Sequence, residues 1–164
     1  MRIAGGLHIA DAVHSGVRFV KDHKTKQVVR VWKSEAFERG KFKTGWMPPH
    51  PTFYMRRSLV ERTGEFDLSY STASDYDYML RALELHAESA RCVMGPLVDF
   101  QAGGMSSGIR SVVLANLECL RSRRRNLGAP LIDAAFFLKP GRKILAQTRL
   151  LERARLAFGA NTSD

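Results

Sequence analysis

The sequence predicts an α/β domain: a mixed sheet with flanking helices, followed by a basic helical tail. Three observations carry this reading. The runs Val17-Arg18-Phe19-Val20 and Gln27-Val28-Val29-Arg30-Val31-Trp32 are rich in β-branched residues and read as strands. Tyr76, Met79, Leu80 and Leu83 fall at the i, i+3, i+4, i+7 spacing of one buried helix face. Ile109, Val112, Val113, Asn116, Leu117 and Leu120 repeat the helical period over a longer stretch and predict a second helix with one largely apolar face.

A chain of 164 residues can bury a core of its own, and 45% hydrophobic against 26% charged residues is a globular balance. No apolar run reaches the ~20 residues of a membrane span, and the first residues lack the apolar stretch of a secretory signal. Cys92 and Cys119 are too few for a disulfide framework and lack metal-ligand spacing. Cys92, in the run Arg91-Cys92-Val93-Met94, is expected as a buried thiol. A reducing cytoplasm is the simplest compartment for such a chain.

In chain order, residues 1–15 open on Gly5-Gly6 with mixed polarity and no clear period. The polar interval 21–26 joins the first two strands into a hairpin, where Lys21, Lys24 and Lys26 fit a solvated turn better than a phosphate site. Residues 35–43 form a short helix or loop ending at Gly45. Pro48, Pro49 and Pro51 stiffen a turn around His50, and Thr52-Phe53-Tyr54-Met55-Arg56 alternates as a strand. Gly64 and residues 67–72 supply loop chemistry. Ser74, or alternatively Thr72, is expected to cap the next helix, with Asp75 in or just before its first turn, at the positive end of the helix dipole. Asp77 lies four residues before Arg81, the spacing of a supporting ion pair.

Arg91-Cys92-Val93-Met94 and Leu97-Val98-Asp99-Phe100 read as two short strands broken at Gly95-Pro96. Gly103-Gly104 gives either a loop that lets backbone approach a ligand or a simple strand end. The helix over 107–126 closes at Gly128, which divides a domain over 1–128 from a tail over 129–164. In that tail the apolar segment 131–138 is broken off by Pro140-Gly141, and a basic amphipathic helix is expected over 142–156.

The net charge of +10 is concentrated late in the chain, from Arg121 onward. A basic end attracts anionic membrane, nucleic acid or phosphorylated ligand. No zinc knuckle, helix-turn-helix pattern or RNA-recognition aromatic motif accompanies Arg121-Ser122-Arg123-Arg124-Arg125, so nucleic acid is not an expected partner. The segment 131–138 beside Lys139, Arg142 and Lys143 suits either peripheral contact with the inner face of the membrane or packing on the sheet.

The densest chemistry lies between Trp46 and Arg81. Trp46-x-Pro-Pro-His-Pro is followed by Phe53-x-x-Arg-Arg-Ser-x-x-Glu-x-x-Gly-x-Phe-Asp, then by Asp75-Tyr-Asp-x-x-x-Arg. This ordered string resembles the C-terminal half of family-2 glycosyltransferases of the GT-A fold. The likeness extends to Gly103-Gly104-Met105-Ser106 and upstream to the hairpin region, covering roughly residues 10 to 145. It implies part of a GT-A-like mixed sheet and inverting transfer of a sugar from a nucleotide-sugar donor to a saccharide or lipid-linked acceptor, as in polysaccharide or glycolipid synthesis. Asp75 aligns with the family's catalytic base. Trp46, His50, Asp77, Arg81, Gly103 and Gly104 become candidates for contact with substrate, Asp77 also being expected to pair with Arg81.

The resemblance also implies a divalent cation, Mg²⁺ or Mn²⁺, on the donor diphosphate, held by an Asp-x-Asp motif in a nucleotide-binding half. In this sequence that spacing occurs only at Asp75-Tyr76-Asp77, so the donor half is expected on another segment or chain. The alternative reading is a non-catalytic interaction module, at a membrane surface or on a partner chain.

Overall fold

The computed structural model describes residues 2–102 and 109–130. The elements run α1 (Arg2–Leu7), β1 (Ala12–Val20), β2 (Val28–Trp32), 3-10 turns at Lys41–Thr44 and His50–Thr52, and β3 (Tyr54–Met55). Then come α2 (Arg57–Thr63), α3 (Ser74–Leu80) with a π-helical extension at Arg81–His86, β4 (Ala90–Gln101) and α4 (Ile109–Leu127). The fold is mixed α/β, a four-stranded mixed sheet with flanking helices.

β1 is the central strand. β4 pairs with it in parallel along its whole length, from Ala12↔Ala90 to Val20↔Gln101. Its other edge is shared: β3 pairs antiparallel at Ala12 and Val13, and β2 pairs antiparallel from Val17 to Val20. The gap between them is closed by a side chain. Thr52 Oγ1 accepts from the Ser15 N–H at 3.2 Å and lies 2.7 Å from the Ser15 carbonyl. The predicted hairpin therefore forms, with β2 as an edge strand whose Val28, Val29 and Val31 are exposed.

The two strands expected around Gly95-Pro96 are one strand of twelve residues. The pairing steps from Ser15↔Val93 to Gly16↔Pro96 to Val17↔Val98, so the break is absorbed as a bulge with Gly95 at φ +83°. A bulge leaves residues unpaired, which is where proline's missing N–H costs nothing. Gly16 faces this bulge, and a Cβ there would sit 2.9 Å from the Trp32 carbonyl.

The face predicted for α3 is the one that packs: Tyr76, Met79, Leu80 and Leu83 are all buried. They join Ala12, Phe42, Leu59 and Cys119 in one core, each fully buried large apolar side chain contributing about 1.5–3 kcal/mol. α2 was not anticipated; its inward positions are only Leu59 and Thr63, too short a pattern to show a period. The strand expected over 52–56 is reduced to Tyr54–Met55, because Thr52 completes the 3-10 turn.

Three further expectations are corrected. Neither Ser74 nor Thr72 caps α3; Ala73 holds that position, with no side-chain cap of its own. Cys92 is only partly buried, while Cys119 is the buried thiol. α4 closes at Gly128 (φ +61°) as expected, but its inward face is rotated from the expected one: Asn116 and Leu120 are buried as predicted, Val113 and Leu117 are exposed, and Glu118, Cys119, Ser122 and Arg123 are buried as well. Arg123 therefore does not belong to a solvated basic patch. Gly103, Gly104, the apolar segment 131–138 and the basic helix expected over 142–156 lie outside the described residues. Among those that are described, no helix is long and apolar enough to cross a membrane.

Candidate functional site

The proline turn and the start of α3 meet at the candidate site. Pro49 is extended (φ −63°, ψ 113°) and leads into the turn at His50–Thr52. The buried Thr52 hydroxyl, within 2.8 Å of the Pro49 carbonyl as well as bonded to Ser15, pins this turn to the middle of β1. His50 is thereby held outward. Its Nδ1 lies 3.5 Å from Asp75 Oδ2, and its ring stands edge-on to Phe100 at 6.4 Å. The His50 and Asp75 side chains retain 55% and 40% of their exposure, so both are open to a ligand.

Asp75 and Asp77 sit two residues apart in very different surroundings. Asp75 Oδ1 accepts from the Tyr76 N–H at 2.7 Å, which leaves Oδ2 facing His50 and solvent. Asp77 is 2% exposed, and its oxygens are occupied by Arg81 Nε (2.8 Å), Ser122 Oγ (2.7 Å) and Asn126 Nδ2 (3.0 Å). Arg81 spends its other donors on the Thr63 and Glu65 carbonyls, tying the loop after α2 to α3. Of the candidate residues, then, Asp75 and His50 come together at the surface, while Asp77 and Arg81 form an internal pair.

Trp46 lies one layer behind. It is partly buried, and its ring packs on Phe37, Phe42 and His14 at 5.5–5.9 Å, with Phe42 in turn meeting Tyr76 of α3 at 5.4 Å. His14, fully buried on β1, is within 2.7 Å of Ser34 Oγ through Nδ1. Burial, reinforced by the nearby Lys41 ammonium, lowers its pKa to about 4, so this ring is neutral.

Two buried acidic residues hold the site in shape: Glu118, which sequence reasoning passed over, and Glu84, which its helical spacing sets on one face with Asp77 and Arg81. Glu118 of α4 accepts from the N–H groups of Ser71, Thr72 and Ala73 (2.8–2.9 Å) and from the Thr72 hydroxyl (2.8 Å), so it caps α3 from another helix. Glu84, in the π-helical segment, accepts from the N–H groups of Gly40 and Phe42, and Arg39 donates to the Glu84 and Ala87 carbonyls. Together these fix the segment that leads to Trp46 and His50. No local sequence signal marks Glu118, because its partners lie 45 to 47 residues away.

Among the described residues no three His, Cys, Asp or Glu side chains converge to hold a metal ion. Neither a family model, a curated protein nor a solved structure matches this chain.

Proposed function

We propose that this chain is the acceptor-side portion of an inverting family-2 glycosyltransferase, with Asp75 as the general base. The observation that carries the reading is the division of labour between two neighbouring carboxylates. Asp77 is locked into α3 and α4, whereas Asp75 keeps one oxygen fixed by the Tyr76 N–H and offers the other to solvent. A fixed yet accessible carboxylate is what proton abstraction from an acceptor hydroxyl requires.

In the proposed reaction the acceptor hydroxyl approaches Asp75 Oδ2 on the side of His50. Its proton passes to that oxygen as the hydroxyl oxygen bonds to the anomeric carbon. The bond from that carbon to the nucleoside diphosphate breaks on the opposite face, which inverts the configuration. His50, 3.5 Å from Oδ2, is placed to orient the carboxylate or the incoming hydroxyl, and Phe100 offers an apolar edge to a sugar ring. The donor and its diphosphate are left to another segment or chain.

The test is a sugar-transfer assay that contains the donor-binding half. Asp75→Asn is expected to lower turnover by about 10²–10⁴-fold with an unchanged thermal midpoint. Turnover close to that of the parent chain overturns the assignment.

A further inference from the structure

α4 turns inward Cys119 and Leu120 together with a set of polar side chains. Glu118, Ser122, Arg123 and Asn126 meet the start and flank of α3, so hydrogen bonds join Cys119's apolar contact in the seam between the two helices. What remains outside is apolar: Val113, Leu114 and Leu117 are 52%, 43% and 48% exposed. Arg110, Arg121, Arg124 and Arg125 are exposed as well. At about 100° per residue, all seven fall within roughly 120° of arc on one side of the helix. The arginines bracket the apolar residues over about 21 Å of helix length. The single carboxylate of α4, Glu118, borders this arc about 20° beyond Arg125, but it is buried and bonded to the N–H groups of Ser71, Thr72 and Ala73.

We propose that this outward face of α4 docks on an anionic lipid surface. An apolar strip flanked by cations matches a bilayer interface, where leucine and valine enter the acyl boundary and guanidinium groups reach the phosphates. Arg125 reaches back to Asp67 and Arg121 lies over the Tyr70 ring, which leaves Arg110 and Arg124, one at each end of the strip, to contact headgroups. Nucleic acid would satisfy the arginines but offers nothing to three aliphatic side chains, and this face has no aromatic residue on which bases could stack. A second copy fits worse, since a two-fold contact would set the arginines against themselves. The proposal does not depend on catalysis at Asp75.

The test is co-sedimentation of the full chain with vesicles of phosphatidylcholine alone or with 30% phosphatidylserine. Binding is expected only to the anionic vesicles and is expected to weaken in high salt. Arg110→Ser with Arg124→Ser should weaken it by about fivefold per arginine, and Leu114→Ser with Leu117→Ser by roughly tenfold or more. All four residues face outward, so the thermal midpoints should match that of the parent chain. Absence of binding, or binding that both double variants retain in full, overturns the proposal. So does retention of a DNA or RNA oligomer that the arginine changes abolish and the leucine changes leave intact. A dimer that the leucine changes dissociate, in a chain that binds no vesicles, also overturns it.

Discussion

The Glu118 carboxylate accepts a hydrogen bond from the Ala73 N–H at 2.9 Å, and so the residue that opens α3 is capped from α4. Burial of this carboxylate opposes its ionisation. The N–H groups of Ser71, Thr72 and Ala73 and the Thr72 hydroxyl outweigh that and hold its pKa below the usual 4.5.

A depressed carboxylate contributes stability that is fully present above its unfolded pKa and lost as pH falls through its folded one. Unfolding followed against pH should therefore show Glu118 contributing at neutral pH and fading below about pH 4.5. In Glu118→Gln the stability at neutral pH is expected to fall by about 1–3 kcal/mol, with a shallower acid limb. An acid limb superimposable on that of the parent chain would refute the cap.

Asp77 supports the fold by a different route. It is a buried anion facing Arg81, Ser122 and Asn126, so its removal strands a guanidinium and two hydrogen-bonding groups inside the protein. Asp77→Ala is expected to cost about 3–5 kcal/mol in urea unfolding. Asp77→Asn should cost less, because the shape stays while the charge goes. A loss under about 1 kcal/mol for Asp77→Ala would place the pair among weak surface bridges and undo its separation from Asp75.

The contrast between α3 and α4 shows what was legible in the sequence. The apolar spacing of Tyr76, Met79, Leu80 and Leu83 named the buried face of α3, since that helix packs by apolar burial. The same reasoning was only partly right for α4: Asn116 and Leu120 are buried, but Val113 and Leu117 are not, because Glu118, Ser122 and Asn126 meet polar partners on a distant segment and rotate the inward face. Periodicity reports which face prefers to leave water, and it is silent when hydrogen bonds decide the orientation. The bulge at Gly95-Pro96 was hidden likewise, because residues that end a strand also interrupt one. Of the candidate site, the turn and the helix start were readable. That His50 would stand beside Asp75 was not, since Thr52 bonding to Ser15 sets it.

His14 gives the fold a second pH dependence. Its folded pKa of about 4 lies below the ordinary 6.5 because burial, with Lys41 nearby, disfavours the charged ring. Between those values the unfolded chain binds the proton more readily, so stability falls as pH drops from 6.5 toward 4. The full effect is up to about 3 kcal/mol. In His14→Leu this part of the stability profile is expected to flatten, whatever the variant's stability at pH 8. Parallel profiles for the two proteins between pH 6.5 and 4 would mean that His14 titrates normally.

The last prediction concerns the donor. A divalent cation on a diphosphate needs several oxygen ligands, commonly carboxylates set to face one ion. The Asp-x-Asp spacing at Asp75 and Asp77 does not provide that, because Asp77 turns inward to Arg81 while Asp75 points toward His50. The chain by itself is therefore expected to bind nucleotide sugars with a Kd weaker than about 1 mM, near 4 kcal/mol of binding free energy or less. Calorimetry with uridine, guanosine and thymidine diphosphate sugars, with and without Mn²⁺, measures this directly. Asp77→Asn should leave the result unchanged, since its carboxylate is already spent on α4. A micromolar affinity that requires Mn²⁺ would show that the chain carries a donor site of its own. Loss of that affinity in Asp75→Asn would then move Asp75 from the acceptor to the cation.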